Sequence, residues 1–399
     1  MIDEYTQATG PLAGIRVLDL TQVVMGPYAT QILGDLGAEV ITIEPPNGDP
    51  LRAIGAGVHP QLGGAALNML RNKRNICIDM KNADGLAAFH RVVASCDVFI
   101  TNLRPEPLAR LGLAYRDLVA SRPDLVYCEA HGFPTDGPRA DEAAFDDAIQ
   151  ASAGIAAMMG KLHGEPALIP SILADKISGL TIVYAVIAAL YHRSVTGEGQ
   201  HIEVPMHDVV SAFVLAEHGA DAIQGLGDPG YARILTPNRK PYPTTDGYVL
   251  LIPYSKKNWV DMFEAGGAVD AENDPRLADA IARTHHYDAL YGELAEIVAQ
   301  HPTAYWRAWA REHSIASSEI ASLEDLVADL PVVTHPIGGD YKTIPAPVRF
   351  SVTPQDVRRP APLIGQDNHD VLTEIGFTEV EIADLERSGA LHAGPAVVA

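Results

Sequence analysis

The chain has 399 residues, two or three domains' worth at roughly 150 residues per domain. Apolar residues make up 47% and charged residues 20%, an ordinary globular balance that argues against a mainly disordered chain. With 29 Lys and Arg against 51 Asp and Glu the formal charge is −22. That disfavours non-specific binding to nucleic acid or an anionic membrane, but allows an anionic small ligand wherever basic residues cluster.

The first residues, MIDEYTQATGPLAG, lack the basic start and apolar centre of a secretory signal. IRVLDL (Ile15–Leu20) is an apolar run of strand type. GPYATQILGDLGA follows as a helix, with Pro27 suited to a first turn and Gly37 to a stop. EVITIE (Glu39–Glu44), DVFIT (Asp97–Thr101), LVYCE (Leu125–Glu129) and HIEVP (His201–Pro205) are further strands, with helical patterns such as Ala83–Ala94 between them. This alternation predicts a parallel sheet covered by helices on both faces. The longest apolar stretch, Gly179–Tyr191, falls short of the roughly 20 residues of a membrane span and reads as a buried helix. Past residue 220 the chain turns Gly- and Pro-rich. It then becomes helical with Trp from Asn258 to Asp329, including YWRAW, and returns to strand and loop signals in TIPAPVRFSV after Pro331. The division is therefore 1–220, 221–330 and 331–399, the last packing back on the first.

Several motifs fail on context. GLGDPG matches a dinucleotide fingerprint only formally, because it follows a helix and contains Pro229. The turn after the first strand, TQVVMGP, has one glycine, so a nicotinamide dehydrogenase is poorly supported. His285 and His286 are adjacent, a spacing that points them to different helix faces, and His201 and His207 flank a strand; structural roles are expected for these. Cys77, Cys96 and Cys128 are odd in number and widely spaced, which predicts neither a disulfide framework nor a zinc site and fits a cytoplasmic protein.

Two features bear on chemistry. RNKRN (Arg71–Asn75), Lys81, and NLRP (Asn102–Pro105) with Arg104, followed by Arg110, gather cations near the carboxyl end of strands, where α/β sheets bind ligands. Such a set suits phosphates, and equally a solvated basic face answering acidic neighbours. Asp175, in SILADKISGL, directly precedes an apolar helix. It reads either as a helix N-cap or, kept ionised by the helix dipole in a dry cleft, as a nucleophile toward an activated carbonyl.

At these residues the chain resembles the family III CoA-transferases, a group that includes formyl-CoA and carnitinyl-CoA transferases and, more distantly, the 2-methylacyl-CoA racemases. The likeness runs through LAGIRVLDLTQVVMGPYATQILGDLGAEVITIE, RNKRNICIDMK, DVFITNLRPEPLARLGL, FDDAIQASAG, ADKISG and LIGQDNHDVLTEIGF. The resemblance implies an α/β fold with a large Rossmann-like domain from both chain ends and a smaller α+β domain, assembled as an interlocked homodimer with active sites at its interface. It implies that Asp175 is the catalytic aspartate and that CoA is handled by Ile78 and Lys81 at the adenine end and by Asn102, Arg104 and Arg110 near the phosphates. CoA and acyl-CoA are then substrates, with no tightly bound cofactor and no metal. The partners are an acyl-CoA, a small carboxylic acid and a second copy of the chain.

Departures from the family pattern narrow the reading. Phe145 stands where racemases carry a His, so a two-base racemisation lacks one partner. Val24 replaces a Gln of formyl-CoA transferase, and the glycine-rich flap of that enzyme is absent, which speaks against formate or oxalate. Pro45 replaces a common cation, and HSIASSEI (His313–Ile320) replaces the usual Gly-Ile-Pro-x-Gly-Pro-Val stretch on the substrate side. The leading expectation is CoA transfer between carboxylic acids through Asp175. The alternatives are an acyl-CoA racemase or isomerase using Asp175 as a base, and a catalytically inactive acyl-CoA-binding paralogue.

Overall fold

The computed structural model describes residues 9–392. These divide into two compact units, one of the described residues up to 150, 171–210 and those from 330 on, the other of residues 151–170 and 211–329. Segment 151–170 therefore goes with the central unit, although nothing in its sequence pattern sets it apart from the residues before it, and the first boundary falls at 210 rather than 220.

The first unit is built on six strands: β1 (Arg16–Leu20), β2 (Glu39–Glu44), β3 (Lys73–Cys77), β4 (Val98–Thr101), β5 (Val126–His131) and β6 (Gln200–Pro205). All neighbours pair in parallel, in the order β3-β2-β1-β4-β5-β6. Leu18 lies level with Ile41 on one side and Phe99 on the other, all three fully buried. The order reverses between β1 and β4, which creates a crevice at their carboxyl ends. The helix Met25–Asp35 connects β1 to β2, and Gly37, with φ of 101°, makes the sharp exit that only glycine takes without strain. The helix Ala83–Ala94 starts where Asn82 accepts the N–H of Asp84 at 2.9 Å.

β3 has no apolar alternation because its polar side chains answer buried charges. Lys73 is fully buried and donates to Asp19 (3.0 Å), Thr30 Oγ1 (2.7 Å) and the Pro27 carbonyl (3.0 Å). Arg71 pairs with Asp35 at 2.6 Å, and Arg74 pairs with Glu39 and Glu374. The RNKRN cations are thus committed inside the fold, which corrects both sequence readings of that cluster: it is neither a phosphate cradle nor a solvated face.

The second unit holds an antiparallel sheet of β7 (Tyr242–Pro243), β8 (Tyr248–Ile252) and β9 (Ala316–Glu319). Helices Lys256–Ala265, Ala280–Val298 and Thr303–Glu312 pack with it around Trp259, Tyr291 and Trp306, all three fully buried.

The chain then returns to the first unit. β10 (Val332–His335) and β11 (Gly339–Lys342) form a hairpin, whereas TIPAPVRFSV, strand-like in sequence, forms no strand. Asp367 accepts the N–H of Asn75 at 2.7 Å and Asn368 that of Cys77 at 2.9 Å, so the backbone of edge strand β3 is satisfied by side chains from the far end of the chain.

The apolar stretch around Gly179–Tyr191 lies inside one helix, Leu173–Thr196, longer than its apolar core suggested. By length and composition this helix could cross a membrane, with a mean hydropathy of 1.7, but half of that window is buried within the chain. Its other side carries a row of exposed apolar residues: Leu180, Tyr184, Ile187, Tyr191 and Val195.

Candidate active site

Asp175 sits in the first turn of the helix Leu173–Thr196 and is 8% exposed. It is not the N-cap. Ile172 holds that position and offers no side-chain cap. The cap comes from elsewhere: Asp146 Oδ1 accepts the N–H of Ala174 at 2.6 Å and that of Asp175 at 3.2 Å. Asp146 is itself 7% exposed and held from the other side by Gln150 Nε2, 2.6 Å from Oδ2. The orphan amides of the helix start are therefore satisfied by a second carboxylate. No hydrogen bond reaches the Asp175 carboxylate among the described residues, so its lone pairs are uncommitted.

This arrangement changes its acidity. Burial, reinforced by the negative charge of Asp146, pushes Asp175 up from the usual 3.8 to about 6. The helix dipole does not keep it at the ordinary value, as its place in the first turn suggested. The group is still mostly ionised at neutral pH, and a more basic carboxylate is a better nucleophile.

Glycines let the surrounding pieces close in. A Cβ on Gly179, one turn after Asp175, would lie 2.8 Å from the carbonyl oxygen of Met25, so the helix rests directly on the backbone that follows β1. A Cβ on Gly132 would meet Ala144 at 2.2 Å, which is how residues 144–146 reach the end of β5. The glycine of the His131-Gly132 turn thus has a packing reason. Burial pushes the neighbouring Glu129 up, but the His201 hydrogen bond and the His131 ring 3.6 Å away outweigh it and bring it down to about 2. His201 Nε2 lies 2.8 Å from Glu129, the structural role its sequence context suggested.

The turn after β1 is pinned from two strands. Asn102, just past β4, accepts the Gln22 N–H and donates to the Gln22 carbonyl, both at 2.9 Å. Asp49, beyond β2, accepts the Val23 N–H at 3.0 and 3.2 Å and the Leu51 N–H at 2.8 Å. Val23 has φ of 69°, a costly conformation for a β-branched residue. Burial raises Asp49 to about 6 in spite of these bonds.

The remaining CoA candidates lie along the strand ends. Asn102 spends its amide on Gln22, Arg104 is exposed at the start of the helix Pro105–Arg110, and Arg110 is exposed with Glu106 at 3.6 Å. Lys81 is exposed. Ile78 is 2% exposed and bridges to Leu391. Sequence reasoning missed Asp146 as a cap, because its partners lie 28 and 29 residues further on, and missed Asp49, whose partner Val23 is 26 residues earlier.

The fold and site are thus those of an α/β protein with a parallel sheet, a switch-point crevice and a buried aspartate, free of hydrogen bonds among the described residues, on the helix packed against the turn after β1. Residues 12–368 match the family described as CoA-transferase family III, and the chain belongs to that family. It is 32% identical over 392 residues to a succinate–glutarate CoA-transferase of Agrobacterium fabrum, spanning 92% of this chain and 96% of that one. It is 27% identical over 419 residues to a formyl-CoA:oxalate CoA-transferase of Escherichia coli O157:H7, spanning 96% and 99%. A solved CAIB/BAIF family protein from Brucella suis superposes with a TM-score of 0.77 at 28% identity, covering 92% of this chain and 99% of that one. The protein is accordingly a CoA-transferase acting on CoA thioesters.

Proposed function

We propose that the protein moves CoA from an acyl-CoA donor to a carboxylic acid acceptor through covalent intermediates on Asp175. The observation that carries this reading is the Asp175 carboxylate itself: buried, free of hydrogen bonds among the described residues, and raised to about 6. A cap or a structural ion pair would have its oxygens occupied.

The carboxylate attacks the donor thioester carbon. A carbon–oxygen bond forms, the carbon–sulfur bond breaks, and CoA leaves as a thiolate. The thiolate then attacks the aspartyl carbonyl of the mixed anhydride, giving an aspartyl-CoA thioester and releasing the donor acid. The acceptor carboxylate attacks that thioester and frees the thiolate again. Attack of the thiolate on the acceptor's acyl carbon yields the new acyl-CoA and restores Asp175. One thioester is exchanged for another, so the cycle needs no external energy source. The anhydride and thioester hydrolyse readily, which favours a site that excludes water. Racemisation gains nothing from the structure: Phe145, where a second base would stand, is an exposed aromatic.

We further propose that Arg104, Arg110, Lys81 and Ile78 line the CoA site and that Asn102 acts there by fixing the Gln22 turn. The working form is a homodimer. The exposed row Leu180, Tyr184, Ile187, Tyr191 and Val195 supports this, since a continuous apolar stripe on one helix face is what an interface covers.

The test is to incubate the protein with a panel of acyl-CoAs, quench, and weigh the peptide carrying Asp175. An acyl or CoA adduct on that residue, converted to a hydroxamate by hydroxylamine, is expected. An adduct on another residue, or none with any acyl-CoA, overturns the mechanism.

A further inference from the structure

We propose that Ser178 is a second catalytic residue: its Oγ–H donates to the oxyanion that forms on the carbonyl oxygen of acylated Asp175. This rests on the CoA-transfer reading above and assigns one donor within it.

Asp175 and Ser178 lie one turn apart on the helix Leu173–Thr196, on a buried stripe that Gly179, Ile182 and Val186 continue. Side chains three positions apart on a helix are neighbours, with about 5–6 Å between their Cβ atoms, so a rotation of each brings their oxygens within hydrogen-bond reach. Ser178 is fully buried, and its Oγ has no hydrogen-bond partner among the described residues. The other three aliphatic hydroxyls of this helix are spent on its own backbone. Thr181 Oγ1 donates to the Ile177 carbonyl at 3.1 Å, Ser194 Oγ to that of Tyr191 at 2.7 Å and Thr196 Oγ1 to that of His192 at 3.0 Å. Of the four, the one sealed from solvent is the one left unpaired. A hydroxyl buried in this way is costly, and alanine would fill the same place with a better helix propensity.

The reaction supplies the partner that the resting protein lacks. After the first step, one Asp175 oxygen bridges to the acyl group and the other is a carbonyl oxygen. When the CoA thiolate attacks the aspartyl carbon, a carbon–sulfur bond forms and the carbonyl π pair moves onto that oxygen. Ser178 donates a hydrogen bond to it and keeps its proton. The oxyanion then collapses, the bond to the bridging oxygen breaks, and the donor acid leaves as a carboxylate. Attack of the acceptor carboxylate on the aspartyl-CoA thioester builds the same oxyanion. A hydrogen bond absent from the resting carboxylate and gained in these transition states lowers their barriers without weakening the nucleophile. The first attack places its oxyanion on the acyl oxygen of the donor, so it gains nothing from Ser178.

The test mixes the full chain with succinyl-CoA and no acceptor, quenches at short times, and weighs the peptide carrying Asp175. In Ser178→Ala the succinyl adduct should form within about twofold of the parent rate, while its conversion to the CoA adduct should slow at least about tenfold. The melting temperature should hold or rise, because an unpaired hydroxyl is removed. Ser178→Cys, a weaker donor of similar size, should convert at an intermediate rate. Equal slowing of both steps, or unchanged conversion, overturns the proposal. So does a Ser178→Ala that melts lower or fails to fold, since its hydroxyl would then have a structural partner. A parent that forms no adduct on Asp175 takes the CoA-transfer reading down as well, whereas a parent that forms both adducts, in the same proportion as Ser178→Ala, removes Ser178 alone.

Discussion

Asp146 caps the helix on which Asp175 stands: one carboxylate oxygen accepts the amides of Ala174 and of Asp175 itself. The same contact orients the Asp175 backbone and brings a negative charge close enough to help raise the pKa of its side chain.

The two effects separate by mutation. Asp146→Ala removes the cap and should cost about 1–2 kcal/mol of stability. Displacement of the helix start should lower CoA exchange by roughly tenfold to a hundredfold. Asp146→Asn keeps an oxygen for the Ala174 amide but loses the charge. It should hold its melting temperature better, and the acid limb of its rate profile should move to lower pH. The limb should stay above the ordinary aspartate range, since burial is the larger cause of the shift. Equal limbs in parent and Asp146→Asn would dismiss the electrostatic half.

The raised Asp175 has a thermodynamic cost with a definite sign. Its folded value, about 6, lies above the unfolded one, so between about pH 4 and 6 the folded chain holds the proton more tightly. Stability from this group is therefore present at low pH, is lost as pH rises through that window, and stays lost above it. Asp175→Asn should be inactive in CoA exchange yet more stable than the parent at pH 7.5, by about 1–3 kcal/mol in urea melts. That advantage should vanish near pH 4. In the parent, activity should fall below pH 6 as the nucleophile is protonated. A destabilised Asp175→Asn at pH 7.5 would contradict the burial of an uncompensated carboxylate.

The turn after β1 stores strain at Val23 that Asp49 offsets. Asp49→Ala should destabilise by about 2 kcal/mol, the cost of orphaning the buried Leu51 amide and the part-buried Val23 amide. Val23→Gly in that background should restore part of the loss, because glycine adopts φ of 69° without penalty. A double-mutant cycle measures the coupling. Strict additivity of the two changes would show that Asp49 does not hold the strained residue.

The exposed row on the helix Leu173–Thr196 predicts a dimer in sedimentation of the parent. Tyr184→Glu with Tyr191→Glu should weaken dimer formation on refolding by at least about tenfold. If the rings interlock, tagged and untagged parent dimers mixed under native conditions should form no hybrids until unfolded and refolded together. A monomeric parent would remove the dimer proposal.

Much of the sheet was legible because its strands are continuous apolar runs: EVITIE became β2 without a change of boundary, and the helix Ala83–Ala94 also matched. β3 was hidden because Lys73, Arg74 and Asn75 face partners distant in sequence, so local polarity mimicked a surface cluster. The place of Asp175 at a helix start was visible from the apolar run after it. That Asp146 does the capping depends on a contact across 28 residues, which no local pattern encodes.

The docking of Asp367 on Asn75 spans 292 positions of sequence. A ribosome must therefore deliver most of the polypeptide before the rim of the sheet is sealed. Until then β3 presents open amides to any passing strand. Efficient production should depend on how quickly those distant residues emerge, and a pause between the central unit and residue 367 should cost soluble yield more than one placed earlier.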